Sequence, residues 1–188
     1  MAIEEQSERR HFFRIMDQAA VELQPVSPDQ NDFASFFRLP AQYQLLTEFQ
    51  MLDIEAQPML HGISEKDRNL GAYLKILNRK LDALCRTVAL MNDPIDEQRI
   101  QSVSLSEGGL ALAWDEHYPP GTLLLIKLIL LPSYLGLLLK GRVLHPSPDH
   151  HAGEVHMEFI DLDDHQRQLI ARHIIRKQQE ARRQRTEI

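Results

Sequence analysis

The sequence has almost no cysteine, and this scarcity limits the redox chemistry that it supports. Cys85 is the only cysteine among the 188 residues, so no disulfide forms within the chain. The first residues also lack the apolar core of a secretory signal peptide. Both features are typical of proteins of a reducing compartment. We therefore expect a cytoplasmic protein.

An excess of positive charge is also missing. The formal net charge is −6, whereas proteins that follow a phosphate backbone need a basic surface. We therefore predict no binding to nucleic acid. The arginines lie mostly near the two ends of the chain, and we interpret the C-terminal group as the solvated end of a helix. These arginines are Arg9, Arg10 and Arg14 in the first group, and Arg182, Arg183 and Arg185 in the second.

Only one stretch is apolar enough to resemble a membrane span. It covers residues 122–139 and contains Lys127, Pro132 and Gly136. A lysine near the centre of a span costs about 2.5–3.5 kcal/mol. Pro132 and Gly136 divide the stretch into two runs of strand length rather than span length. The sequence therefore predicts a β-hairpin and no membrane insertion.

Patterns that indicate a metal site or a catalytic nucleophile are absent too. Four histidines fall close together in sequence, but their spacing matches no zinc motif and no thiolate accompanies them. They are His145, His150, His151 and His156. The acidic run at 161–164 fits the start of a helix better than a calcium loop. No serine, cysteine or threonine has a recognisable base and orienting group. We therefore predict no metal site, no cofactor, no catalytic residue and no enzymatic activity.

Strand patterns occupy the two ends of the chain. From Phe13 to Leu23 every second residue is apolar except Asp17, which indicates a half-buried strand. Five further strands are predicted at 100–106, 110–114, 122–131, 136–145 and 154–160. Six short strands separated by turns favour a small antiparallel barrel.

The middle of the chain, residues 33–96, is predicted to be helical. It is rich in leucine, glutamine, glutamate, lysine and arginine. A first helix is expected at 41–53, with an interruption at Pro58 and Gly62. A second is expected at about 64–91, with Ser64 as its N-cap. A third helix follows Asp163 or Asp164 and carries an apolar stripe of Leu169, Ile170, His173 and Ile174.

The second helix carries an unbroken heptad pattern. Its apolar residues alternate at spacings of four and three, as in a coiled-coil seam: Leu70, Leu74, Leu77, Leu81, Leu84, Val88 and Met91. The seam could pack within its own chain, on the first helix or the barrel. A weaker stripe of Tyr73, Ile76, Ala83 and Leu90 provides a surface for a second partner and favours self-association. The heptads leave the number of chains open.

Two short segments combine arginine, serine and glycine. Arg9, Arg10 and Arg14 precede the first strand, and the segment from Ser104 to Gly109 forms a turn between the next two strands. Guanidinium groups bind phosphate oxygens and the O6/N7 edge of guanine. Glycine allows the backbone to approach a ligand closely. A ligand with phosphates and guanines would use both segments.

These segments resemble the motifs of the PilZ domain family, the bacterial receptors for cyclic di-GMP. Arg10-x-x-x-Arg14 is similar to the family's RxxxR motif, and Ser104-x-Ser106-x-x-Gly109 is similar to its [D/N]xSxxG motif. Ser104 departs from the motif, which has Asp or Asn there. The helical insertion with its heptads resembles an atypical branch of the family whose inserted helices form a tetrameric coiled coil.

The resemblance implies an α+β fold. It predicts a six-stranded antiparallel PilZ barrel with an inserted helical pair that bears the coiled coil, and a C-terminal helix. Residues 1–32 would hold the arginine segment and first strand, 33–96 the insertion, and 97–188 the rest of the barrel and the last helix.

The resemblance also implies a function and a set of ligand contacts. The chain would be a non-catalytic cyclic di-GMP receptor that acts on motility or biofilm formation through an unknown protein partner, and it would form a homotetramer. The ligand would contact Arg9, Arg10, Arg14, Ser104, Ser106 and Gly109. The alternative is an oligomeric scaffold that binds a protein partner without a nucleotide.

Overall fold

The computed structural model describes residues 13–26, 38–92, 99–145 and 153–186. These residues form six strands and three helices, which confirms the α+β class. The strands are β1 (Ile15–Pro25), β2 (Ile100–Ser106), β3 (Gly109–Ala113), β4 (Leu123–Leu130), β5 (Leu135–Val143) and β6 (Glu154–Ile160). The helices are α1 (Ala41–Lys66), α2 (Arg68–Asn92) and α3 (Asp164–Thr186).

The strands close into an antiparallel barrel with the order β1-β2-β3-β6-β5-β4. Strand β1 closes the barrel because its two halves pair with different neighbours. Residues 15–20 pair with β2, and residues 19–25 pair with β4. The predicted hairpin is confirmed as β4 and β5. None of the helices in the described ranges is both long and apolar enough to cross a membrane.

Alternating apolar side chains fill the barrel. The fully buried ones include Val103 and Leu105 of β2 and Leu124, Ile126 and Leu128 of β4. Helix α3 adds Leu169, Ile170 and Ile174 to the same core. Its start is fixed by a capping box, in which Asp163 Oδ1 accepts a hydrogen bond from the Gln166 amide at 2.7 Å. The predicted cap and apolar stripe of this helix are confirmed.

Strands β3 and β6 approach each other closely at Gly109. A Cβ atom on Gly109 would lie 2.3 Å from the carbonyl oxygen of Met157 in β6. Real Cβ atoms essentially never come this close to another atom. The residue that ends the serine–glycine motif is therefore required by the pairing of the barrel strands.

The predicted break between the two helices of the insertion was misplaced. Helix α1 continues through Pro58 and Gly62 to Lys66, because elongation of an established long helix tolerates a proline that removes one hydrogen bond. The break is at Asp67, whose backbone is extended. Asp67 Oδ1 accepts hydrogen bonds from the amides of residues 69 and 70 at 3.0 Å. Asp67 is therefore the N-cap of α2, and Ser64 belongs to α1.

Helix α1 docks on the outside of the barrel at Gly136. The Thr47 hydroxyl donates to the Gly136 carbonyl at 2.8 Å and lies 3.2 Å from the Gly136 amide. A side chain at Gly136 would collide with Tyr43. A small second core of Ala20, Tyr43, Leu46 and Ile129 surrounds this contact. Gly136 lies inside β5 and not in the hairpin turn, which is formed by residues 131–134.

Asp17, the polar residue in the otherwise apolar face of β1, ties this strand to α3. Its side chain is 1% exposed, with Oδ2 2.5 Å from His173 Nε2 and Oδ1 2.5 Å from Lys177 Nζ. On the other side of the imidazole, Arg176 Nη2 lies 3.1 Å from His173 Nδ1. Arginine nitrogens only donate, so Nδ1 accepts and the imidazole proton is on Nε2. His173 is therefore neutral and donates to the carboxylate.

The pKa values of this pair agree with that assignment. Burial lowers the pKa of His173 below its ordinary value, and the opposing effect of Asp17 does not reverse the shift. Burial by itself raises the pKa of Asp17, but the hydrogen bonds from His173 and Lys177 outweigh it and hold the pKa below its usual value. Asp17 is therefore ionised, and Lys177 supplies the matching positive charge.

The neutral state of His173 makes stability depend on pH. The unfolded chain takes up a proton near the ordinary His pKa of 6.5, whereas the folded chain does so only at lower pH. The contribution of the neutral His173 to the unfolding free energy is therefore complete above pH 6.5. As the pH decreases below 6.5, this contribution decreases by up to about 1.4 kcal/mol per pH unit. We expect His173→Gln to flatten the fall in unfolding free energy between about pH 6.5 and pH 5 in urea titrations. His145→Gln, on an exposed residue, is the control. Equal slopes for the wild type and His173→Gln would contradict this account.

Gly109 provides a second test of the barrel. Gly109→Ala places a methyl group against the Met157 carbonyl, so we expect a loss of about 1–3 kcal/mol in unfolding free energy. Gly62→Ala is the matched control, because nothing lies within 4 Å of its Cβ position in α1. There the same methyl group is expected to add about 0.5–1 kcal/mol. A neutral effect at Gly109 would show that β3 and β6 separate at little cost.

Candidate functional site

The two predicted motifs meet through the pairing of β1 with β2. Arg9 and Arg10 lie outside the described residues. Arg14 precedes β1 by one residue, and Met16, two residues further on, pairs directly with Ser104. The serine motif and the last arginine of the RxxxR motif therefore lie on neighbouring strands, although about ninety positions separate them in sequence.

Ser106 and Gly109 shape the β2–β3 turn. They pair across the two strands, and the buried Ser106 hydroxyl donates to the Gly109 carbonyl at 3.2 Å. Ser104 lies on the opposite face from the buried Val103 and Leu105 and is half-buried. Its direct neighbour Met16 is 70% exposed. Of the two serines, Ser104 is thus the one that a ligand on the outer surface reaches.

Arg14 lines an open groove between the start of β1 and α3. The groove has a volume of about 930 Å³, which lies within the usual range for ligand sites of about 300–1,000 Å³. Lys177 and Arg182 of α3 also line it, together with the exposed Phe13 and with Glu180. Ser104, Ser106 and Gly109 are not among its lining residues.

The sequence did not identify the contribution of α3 to this groove. Arg182 was interpreted as part of a solvated helix end, and Lys177 was not singled out. Lys177 follows His173 by one helical turn, so it extends the face of α3 that contacts the barrel. This spacing of one turn from His173 was the signal in the sequence that Lys177 faces the barrel. The role of Lys177 depends on its contact with Asp17, which lies 160 residues earlier in the sequence.

The histidine-rich stretch forms no metal centre in the described part of the chain. No group of three or more His, Cys, Asp or Glu side chains there is placed to hold a metal ion. His156 Nε2 lies 3.0 Å from Glu154 Oε2 within β6, and His145 follows β5. His150 and His151 lie outside the described residues.

A second candidate surface is the heptad face of α2. This helix contacts the rest of the chain through a stripe that shares only Leu74 with the predicted seam and consists of Gly71, Leu74, Asn78, Asp82, Cys85 and Arg86. Most of the predicted seam is exposed: Leu70 46%, Leu77 39%, Leu81 51%, Leu84 60%, Val88 47% and Met91 80%. Tyr73 and Ile76 of the weaker stripe are 63% and 50% exposed. Within the described residues, therefore, neither stripe is covered by its own chain.

Comparisons with known proteins place this geometry in a family. The chain is similar to a solved pathogenic protein from Xanthomonas campestris, described as a new tetrameric PilZ domain that self-assembles through an unusual helical bundle. The identity is 18%, with 91% of this chain and 89% of that chain covered and a TM-score of 0.47. This likeness is too low to support conclusions about assembly. No curated protein matches the sequence.

The family match covers five of the six barrel strands and part of the C-terminal helix. The PilZ domain model matches residues 83–176, half of the chain. That range includes the serine–glycine motif, strands β2 to β6 and much of α3. PilZ domains are in general non-catalytic domains that bind cyclic di-GMP. On its sequence match and its barrel, the chain belongs to the PilZ domain family.

Proposed function

We propose that this chain is a non-catalytic receptor for cyclic di-GMP. The observation that carries the proposal is the β1–β2 register, because it brings the end of the arginine segment next to the serine–glycine turn of a PilZ barrel. Arg9, Arg10 and Arg14 bind the phosphates and guanine edges of the ligand, and Ser104 contacts it from β2. Ser106 and Gly109 hold the turn in shape.

The groove beside Arg14 supports this proposal through its charge. Arg14, Lys177 and Arg182 give it three cationic side chains against one acidic one, Glu180. A cyclic dinucleotide carries two negative phosphates, and charge-assisted hydrogen bonds to them are about twice as strong as neutral ones. Arginine also stacks its planar guanidinium on a base, which lysine does not do. Lys177 is additionally engaged with Asp17, so Arg14 is the more available partner.

The serine at position 104 sets a limit on affinity. An aspartate or asparagine would accept hydrogen bonds from guanine or orient an arginine, whereas serine is shorter and uncharged. The Ser106 proton is directed into the turn, toward the Gly109 carbonyl. The β2–β3 turn of this chain therefore supplies fewer ligand contacts than a turn that begins with a carboxylate.

Calorimetric titration with cyclic di-GMP tests the receptor proposal. Each arginine–phosphate hydrogen bond contributes about 1.5–3 kcal/mol, so Arg10→Ala or Arg14→Ala is expected to weaken binding about ten- to a hundredfold. Ser104→Asp is expected to tighten it. Arg79→Ala, on the exposed side of α2, removes the same charge elsewhere and is the control. Absence of heat at millimolar ligand, or wild-type affinity in both arginine variants, would exclude the receptor.

The same titration distinguishes the alternative of a nucleotide-independent scaffold. A scaffold uses the barrel to bind a protein partner and the helices to provide several copies, with no response to cyclic di-GMP. The output of the receptor, a partner that controls motility or biofilm formation, rests on the family resemblance and is part of the proposal. So is a cytoplasmic location.

We further propose that the chain self-associates through α2. Exposed apolar surface in a continuous stripe marks an interaction site, and the seam of α2 follows the heptad spacing of a coiled coil. A heptad stripe on one copy is complementary to the same stripe on another, so the occupant that fits is a second copy of this helix. By the resemblance set out above, the assembly is a tetramer.

The mass in solution tests this assembly. Leu77→Asp with Leu84→Asp puts two charges into the seam. Burying these charges against another copy costs more free energy than the remaining apolar contact contributes. We expect light scattering after size exclusion to show a mass that falls toward the 21.8 kDa of one chain. Lys75→Glu changes the net charge by the same two units at an exposed position outside both stripes and is expected to keep the oligomer. An unchanged mass for the seam variant would exclude the coiled coil.

A further inference from the structure

A small cavity lies where the helical insertion meets the barrel and the C-terminal helix. Its volume is about 90 Å³. Residues of α1, α2, α3 and the β4–β5 turn line it, so both helices of the insertion meet α3 at this cavity. It is separate from the groove beside Arg14, and the two share no lining residue.

The cavity is lined by an unusual number of charged groups. Three guanidinium groups, those of Arg86, Arg172 and Arg176, line it together with the carboxyl groups of Asp53 and Asp82. Burial lowers the pKa of Arg176, and the positive charges of Arg172 and Arg86 lower it further. Arg176 is therefore close enough to Arg86 and to Arg172 to be repelled by both.

The ion pairing between these charges is loose. Arg172 Nη2 is 3.8 Å from Asp53 Oδ2, which is an ion pair beyond hydrogen-bond distance, and Arg172 Nη1 donates to the Gln50 carbonyl at 3.4 Å. Within the described residues, the only hydrogen bond of Arg86 runs from Nε to the Asp82 carbonyl of its own helix, at 3.1 Å. Arg176 Nε is buried and has no acceptor among the described residues. Arg176 Nη2 has a partner in His173 Nδ1, so the unpaired group is the Nε donor alone. Buried donors are nearly always paired, and an added acceptor in the cavity would satisfy this one.

We propose that this cavity is a binding site for one small oxyanion, held between Arg86, Arg172 and Arg176. A phosphate, sulfate or carboxylate group supplies several acceptor oxygens that match planar guanidinium forks. The ion would relieve the repulsion among the three cations and give the Arg176 side chain an acceptor. It would thereby bind α2 of the insertion to α3 of the barrel.

The size of the cavity defines the class of ligand. A single water requires about 10–15 Å³ of space on this measure, so a cavity of about 90 Å³ accommodates an ion of a few heavy atoms and excludes a nucleotide. The site is therefore distinct in ligand class from the groove proposed for cyclic di-GMP. Its existence does not depend on whether the chain binds that dinucleotide.

The two carboxyl groups in the cavity are compatible with an anion. Burial raises the pKa of Asp53, and the neighbouring charge of Asp82 raises it further. With three arginines against two aspartates, the cavity also carries a net positive charge before any proton is taken up.

Titration of the full chain with inorganic phosphate tests the site. Phosphate is added at constant ionic strength against chloride, and binding is measured by calorimetry and by the thermal unfolding midpoint. We expect one ion per chain and a rise in the midpoint, since a ligand that binds only the folded state stabilises it. Sulfate and acetate, run in parallel, show whether the site takes tetrahedral oxyanions, carboxylates or both.

Variants locate the ion. Arg86→Gln and Arg172→Gln are each expected to weaken phosphate binding at least tenfold and to remove the midpoint shift, whereas Arg79→Gln, two turns before Arg86 on α2, is expected to keep both. Arg86→Gln disrupts only a hydrogen bond within its own helix, so it remains informative if the Arg172 variant fails to fold. Absence of binding for all three ions would overturn the proposal. So would equal phosphate affinity in the wild type and Arg86→Gln.

Discussion

The buried carboxylate of Asp17 is the constraint on which the arrangement of this molecule depends. A buried charge is tolerated only when it is paired and hydrogen-bonded, and the pairing groups come from α3, through His173 and Lys177. This requirement fixes how α3 lies against β1, and it does so three residues from Arg14. The groove beside Arg14 exists because α3 is held there.

Much of the barrel could be predicted from the sequence, because alternation in a half-buried strand is a local signal. Strands β2 and β6 have the predicted bounds. The insertion was harder, because Pro58 was interpreted as the end of a helix, whereas the cooperativity of a long helix carries α1 through it. Asp17 was noticed only as an interruption of the pattern. Its partners could not be predicted, because nothing local indicates that β1 and α3 meet.

The candidate site, like the fold, could be predicted from the sequence only in part. The serine–glycine motif could be predicted because Gly109 and Ser106 act within one turn. The groove could not, because it needs residues from both ends of the chain. The heptad seam could be predicted from the sequence in part. Its spacing could be read directly, but only the folded chain shows that α2 contacts α1 mainly through another stripe and leaves every seam leucine except Leu74 exposed.

The position of β1 in the barrel has a consequence for how the barrel closes. Both strands that pair with β1 lie beyond the insertion in sequence, whereas β2 with β3 and β4 with β5 are local hairpins. Pairing β1 therefore carries the largest loop-closure entropy of any strand. Its loss would open the barrel between β2 and β4. A ligand that binds at Arg14, at the start of this strand, would also strengthen the closure of the barrel.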